Sequence, residues 1–204
     1  MKKCLFGAAL FAFTTLLAPR SAKAQAFPEG SNSISVGYGF VTVLGALNST
    51  FDTYTDVQYS SLGPLYFKYE RAMSDNIGLG LSVAYATNEW SYRFSAFDDT
   101  TQVFHTETTK RSTYSVLARF NYHIGSNEKF DPYIGLGLGY RNANWSTTTT
   151  DAAGVGSAVD LPNLVPLGME LTFGLRYFFT DNFGAYTEIG GAKSVVQFGL
   201  SGKF

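Results

Sequence analysis

Cysteine is all but missing. The 204-residue chain has one, Cys4, so whatever folds beyond it folds without disulfides. Histidine is nearly as scarce, with His105 and His123 alone, and no Cys/His/Asp cluster has the spacing of a metal site. Neither metal nor cofactor is expected. Beyond residue 24 no stretch approaches the roughly twenty consecutive apolar residues of a transmembrane helix. Charge is sparse as well, at 15% of residues and a formal net −1. The first 24 residues hold four of the fifteen basic residues (Lys2, Lys3, Arg20, Lys23) and no acidic one. The rest therefore carries 11 basic against 16 acidic residues, a net −5. A nucleic-acid partner, which needs a basic footprint, is not expected.

What is present at the N-terminus is an export address. Lys2 and Lys3 precede an apolar run, Cys4 to Ala18, and Ala22-Lys23-Ala24 follows. That order predicts a signal peptide over residues 1–24, cleaved after Ala24. A run of about fifteen residues is too short to span a bilayer. Cys4 precedes the run rather than ending it, so a lipoprotein is not indicated. Residues 25–204 then form one domain.

The rest alternates. In the last stretch Val196, Phe198, Leu200 and Phe204 fall on one face of a period-2 strand, and Gln197, Gly199, Ser201 and Lys203 on the other. Seven earlier segments behave alike, near 33–43, 59–71, from 77, ending near 124, 133–145, 167–177 and 183–190. Short connections at 72–76, 125–131 and 180–182 carry turn residues. Longer ones at 45–57, 95–105 and 146–164 are rich in Thr, Ser, Asp and Gly, and 191–193 is short. The predicted fold is all-β, an eight-stranded antiparallel up-and-down transmembrane β-barrel, with short turns periplasmic and long loops outside.

A soluble barrel also alternates, but three features favour lipid. The apolar positions carry no charge. Aromatics gather near strand ends, with Tyr69, Tyr122, Tyr177, Phe183 and Phe204 at the turns and Phe40, Tyr85 and Tyr140 toward the loops. The polar face is rich in glycine, as a narrow lumen requires. That face carries Lys68, Arg119, Arg141, Arg176 and Lys203 against Glu70, Glu170 and Glu188. Inside a narrow barrel such charges must pair. A salt-bridge network among Lys68, Glu70, Arg119, Arg141, Glu170, Arg176 and Glu188 is expected. It serves either as a plug or as a selectivity ring.

The run Asp131-Pro132-Tyr133-Ile134-Gly135-Leu136-Gly137-Leu138-Gly139-Tyr140, the segment Gly174-Leu175-Arg176-Tyr177 and the strand ending in Phe204 resemble the small outer-membrane β-barrel family of the OmpA/OmpX type. The resemblance covers residues 25–204. It implies the bacterial outer membrane, contact with its lipids and lipopolysaccharide, and a monomer. It also implies that Phe198, Leu200 and Phe204 resemble the signal read by the barrel-assembly machinery. It carries no peptidoglycan-binding domain and no activity. Three functions stay open: a structural or surface-interaction barrel, a small-solute channel of the OmpW-like kind, and a lipid-modifying enzyme. No catalytic residue is expected. Gly135-x-Gly-x-Gly lacks the later glycine and the helix of a phosphate loop. His105 has no serine beside it, with Ser112 or a loop serine the candidates. Asp98-Asp99 reads as a solvated acidic loop.

Overall fold

The computed structural model describes residues 26–42, 57–98, 101–125, 128–150 and 166–204. The expected signal peptide, 1–24, lies outside them, as does most of the 45–57 and 146–164 connections. Eight strands follow in order: β1 (Asn32–Thr42), β2 (Val57–Ser74), β3 (Ile77–Asp98), β4 (Thr101–His123), β5 (Phe130–Thr149), β6 (Leu167–Phe178), β7 (Phe183–Gly191) and β8 (Ser194–Lys203). Each pairs antiparallel with the next, and β8 pairs back to β1, which closes the barrel. Closure leaves no sheet edge through the wall, as a β-structure in lipid requires.

The closing seam ends at the last residue. The backbone N–H of Asn32 donates to the Phe204 carbonyl at 2.8 Å, and that of Phe204 donates back to Asn32 at 2.9 Å. Above this pair Val36 stands opposite Leu200 and Tyr38 opposite Phe198.

Register keeps one parity outside all the way round. Val36, Phe67, Leu81, Leu138, Met169, Leu171 and Phe198 are each about half exposed or more. The opposite parity is buried and polar. Water outside would leave a continuous apolar belt uncovered; hydrocarbon covers it. Aromatic rings border the belt. Tyr69, Tyr122, Phe130, Tyr177 and Phe183 lie at the turn end, and Phe40, Tyr85, Tyr114 and Tyr140 at the loop end. Beyond Tyr85 and Tyr114 the outward positions turn polar, with Glu89 opposite Lys110. The chain is thus a transmembrane barrel rather than a soluble one.

The strands are unequal, and here the structure departs from the sequence reading. A tilted strand crosses lipid with about 9–11 residues. β1, β6, β7 and β8 have 11, 12, 9 and 10 residues, but β3 and β4 have 22 and 23. The long loop expected at 95–105 is instead strand. Phe94 pairs with His105 and Asp98 with Thr101. A run with Phe97, Thr100, Thr101, Val103 and Phe104 suits a solvated sheet as well as a loop, because β-branched and aromatic side chains favour a pleated surface. The surplus of about eleven residues projects β3 and β4 some 35 Å past the girdle, at about 3.3 Å per residue. β5 likewise runs to Thr149 rather than ending at Trp145.

Position 138 tests which solvent the belt meets. Leu138 stands between Ala118 and Met169 near mid-height. Leu138→Arg is expected to lower unfolding free energy in lipid vesicles by about 2–4 kcal/mol, while Leu138→Ile leaves it nearly unchanged. Urea titration of vesicle-folded protein measures both, and equal stability would point to a water-facing belt.

Candidate functional site

The lumen is the one place where charge is concentrated and hidden. Lys68, Glu70, Arg119, Glu170, Arg176 and Glu188 are between 1% and 6% exposed. Two clusters form. In the first, Glu188 accepts from Lys68 Nζ at 2.7 Å, Arg119 Nη2 at 2.7 Å, the Tyr133 hydroxyl at 2.7 Å and Gln197 Nε2 at 3.0 Å. Arg119 also donates to Glu170 at 2.7 Å and to Thr172 at 3.0 Å. In the second, Glu70 accepts from Arg176, and His123 Nε2 lies 2.9 Å from its carboxylate. His123 Nδ1 meets Asp131 at 2.5 Å. Asn121 joins the two clusters. Its carbonyl takes Arg119 Nε at 2.8 Å and its amide donates to Glu70 at 2.7 Å.

Charge nearly balances within this set. Lys68, Arg119 and Arg176 face Glu70, Asp131, Glu170 and Glu188. His123 has a carboxylate oxygen at each ring nitrogen, and carboxylate oxygens only accept. Each pair is buried where the remaining partner would be left uncompensated if its mate were removed.

Glycine makes the room. A Cβ at Gly78 would strike the Glu70 carboxylate, one at Gly135 the Arg119 guanidinium, one at Gly137 the Glu170 side chain, and one at Gly174 the Tyr133 ring. β3 contributes to this layer only Gly78, Gly80 and Ser82, so side chains from β2 and β4 close over it.

The two ends of the lumen differ. At the turn end residues 26–31 fold under the barrel. Phe27 stacks on His123 with centroids 3.4 Å apart, and Lys203 Nζ donates to the Ala26 carbonyl at 3.3 Å. Nothing in the periodicity marks this stopper, because it sits before the first alternating segment. At the loop end Arg141 stands apart from the network. No carboxylate among the described residues pairs with it, because the acids of the layer lie lower and are taken. The sequence-based set of seven therefore separates into six residues brought together and one left out.

The structure adds members that the charge criterion passed over. Asn121, Tyr133, Tyr186 and Gln197 share the inward parity but carry no formal charge. Asp131, assigned by sequence to the 125–131 turn, is a buried lumen residue on β5. Pro132 masked it, since proline with no N–H reads as a strand start. Proline is tolerated near the start of β5, where its carbonyl accepts from the Ile124 N–H at 2.7 Å. A Ser/His dyad is not formed by His105 and Ser112. They share β4, seven residues and so about 23 Å apart. No group of three metal-ligating side chains occurs among the described residues.

No family model matches the sequence, and no curated protein matches it. Solved structures do. The N-terminal β-barrel domain of Pseudomonas aeruginosa OprF is 15% identical, covering 86% of this chain and 98% of that one, with a TM-score of 0.39. Ail, the attachment invasion locus protein of Yersinia pestis, is 18% identical over 86% and 99%, with a TM-score of 0.38. The outer membrane protein OprG of P. aeruginosa is 11% identical over 87% and 97%, with a TM-score of 0.43. The similarity is one of fold.

Arg119 should dominate the stability of the layer. Arg119→Met leaves Glu170 without its ion pair and is expected to lower unfolding free energy by about 3–5 kcal/mol. Adding Glu170→Gln should recover part of the loss. Denaturant unfolding of the detergent-folded barrel checks the order of the three proteins.

Proposed function

We propose that this β-barrel is an integral protein of the bacterial outer membrane, acting as a sealed monomeric scaffold for structures that meet partners at the cell surface. The observation that carries this reading is the filled lumen. The cavity beside Lys68, Glu70, Arg119, Tyr133, Arg176 and Glu188 holds about 10 Å³, near the minimum for one water molecule. A path for a solute needs far more. The projecting part of β2–β5 supports the surface role, since it reaches well past lipid on a rigid base. Outer-membrane lipids would surround the belt, with lipopolysaccharide beside the loop-end girdle.

A small-solute channel is the second reading, with an apolar lateral route. A groove of about 580 Å³ around Ala118 is the feature that favours it. Its apolar lining, Leu79, Phe120, Leu136, Leu138, Met169 and Leu171, faces lipid and so suits an acyl chain better than a solute path. Catalysis is not part of the proposal.

Planar-bilayer recording separates the two readings. The folded barrel is expected to give no reproducible single-channel steps, and the double variant Phe27→Ala/Tyr133→Ala to show more leak than the parent. Regular steps from the parent would sink the sealed scaffold.

The proposal extends to biogenesis, with Phe198, Leu200 and Phe204 as the strand presented to the barrel-assembly machinery. Deleting Phe204 removes the backbone pair with Asn32. It is expected to reduce the heat-modifiable, folded fraction in outer membranes several-fold. An unchanged folded fraction would remove Phe204 from that role.

A further inference from the structure

Three cations gather at the loop end of the lumen, and no ion pair among the described residues balances them. Lys193 sits in the short β7–β8 connection. Its Nζ is shut off from solvent and has no hydrogen-bond partner, and the same holds for Arg111 Nε. Arg141 and Arg111 both lie close enough to Lys193 to repel its charge. No ion pair among the described residues involves any of the three. Glu107, the next inward acid along β4, lies four residues further out and is engaged by Tyr92.

The arrangement is built rather than frayed. Tyr66 anchors the turn that carries Lys193, accepting from the Ser194 backbone N–H at 3.0 Å and meeting the Ser194 hydroxyl at 3.0 Å. Arg111 lies over the Trp145 ring at 5.2 Å, and Trp145 stacks on Trp90 at 6.1 Å. Both guanidiniums come from inward positions of neighbouring strands, with Arg111 opposite Trp145 and Arg141 opposite Ser115.

We propose that Lys193, Arg111 and Arg141 form a binding site for a phosphate-type oxyanion in the outer mouth of the lumen. A buried ammonium without a partner is costly, and two adjacent guanidiniums make it worse. Burial first, then Arg141 and Arg111, push the Lys193 amine from its ordinary range down to about 7. A compact, multiply charged anion relieves all three at once. The guanidinium fork matches two oxygens of a tetrahedral oxyanion and the ammonium a third. Lys193 lies in the loop-end connection and both arginines at inward positions, so the anion would come from the aqueous side rather than from lipid. It lies above the paired layer, and the sealed lumen below is compatible with it.

Trp90 and Trp145 are the only tryptophans in the chain, so intrinsic fluorescence reports on this mouth. The full mature barrel, folded in detergent, is titrated with potassium phosphate and, at equal ionic strength, with potassium chloride. A saturable emission change with phosphate alone is expected. Lys193→Met should weaken the midpoint at least tenfold, and Arg141→Gln should weaken it as well. Lys193→Met should also melt higher than the parent in phosphate-free buffer, because it removes an unbalanced buried charge. Added phosphate should raise the melting temperature of the parent and not of the variant. Glucose 6-phosphate distinguishes sources: binding as tight as inorganic phosphate means a substituted phosphate is accepted, and much weaker binding restricts the site to the free ion. The proposal fails if phosphate gives no saturable change, if chloride reproduces it, or if both variants titrate like the parent.

Discussion

The convergence of cations on Glu188 and Glu70 in a closely filled lumen governs the rest of this structure. Ions in a low-dielectric interior are stable only when paired and hydrogen-bonded. Glu188 meets that condition through four donors drawn from β2, β4, β5 and β8. Pairs that cross the lumen tie strands that are distant in sequence. Lys68 reaches β7, and Arg176 on β6 reaches Glu70 on β2. Room around them is short, so glycine faces Glu70, Arg119, Glu170, Tyr133 and Tyr186. Breaking one pair therefore strains the packing as well as the charge balance.

The outer surface obeys a different constraint. Lipid asks only that outward residues be apolar at mid-height and aromatic at the borders. Many residues meet it interchangeably, which is why the belt mixes Leu, Phe, Val, Ile and Met without close-fitting partners. Past the girdle that constraint lifts and the strands do not stop. Ser91 and Thr108 share a hydrogen bond at 2.8 Å, and Thr109 and Thr147 one at 3.3 Å. Hydroxyl ladders of this kind hold a sheet together in water, where an apolar face would not.

The same lumen thus contains charge in two states. Below, Lys68, Arg119 and Arg176 are paired with Glu70, Asp131, Glu170 and Glu188, and the interior is closed. Above, Lys193, Arg111 and Arg141 lie together with no ion pair among the described residues. The difference comes from strand length. β7 and β8 are short, at 9 and 10 residues, and carry no inward acid beyond Glu188.

Period-2 alternation and even segment count were enough to read the barrel, its two faces and six of the seven paired charges from residues alone. Parity in a strand is a local property, and closure follows once every segment has one apolar face. Loop lengths were not legible at 95–105, because its β-branched and aromatic residues suit a solvated strand as well as a loop. Asp131 was hidden by its proline neighbour. Arg141 was misassigned because parity gives the side of the wall but not the height in the lumen. Height depends on the stagger between paired strands, and that is set when β8 meets β1. Sequence by itself thus determined which side chains face lipid and which face inward. Only the tertiary structure decided which inward charges meet, that Phe27 stoppers one end, and that three cations are left together at the other, because those facts depend on register around a closed ring.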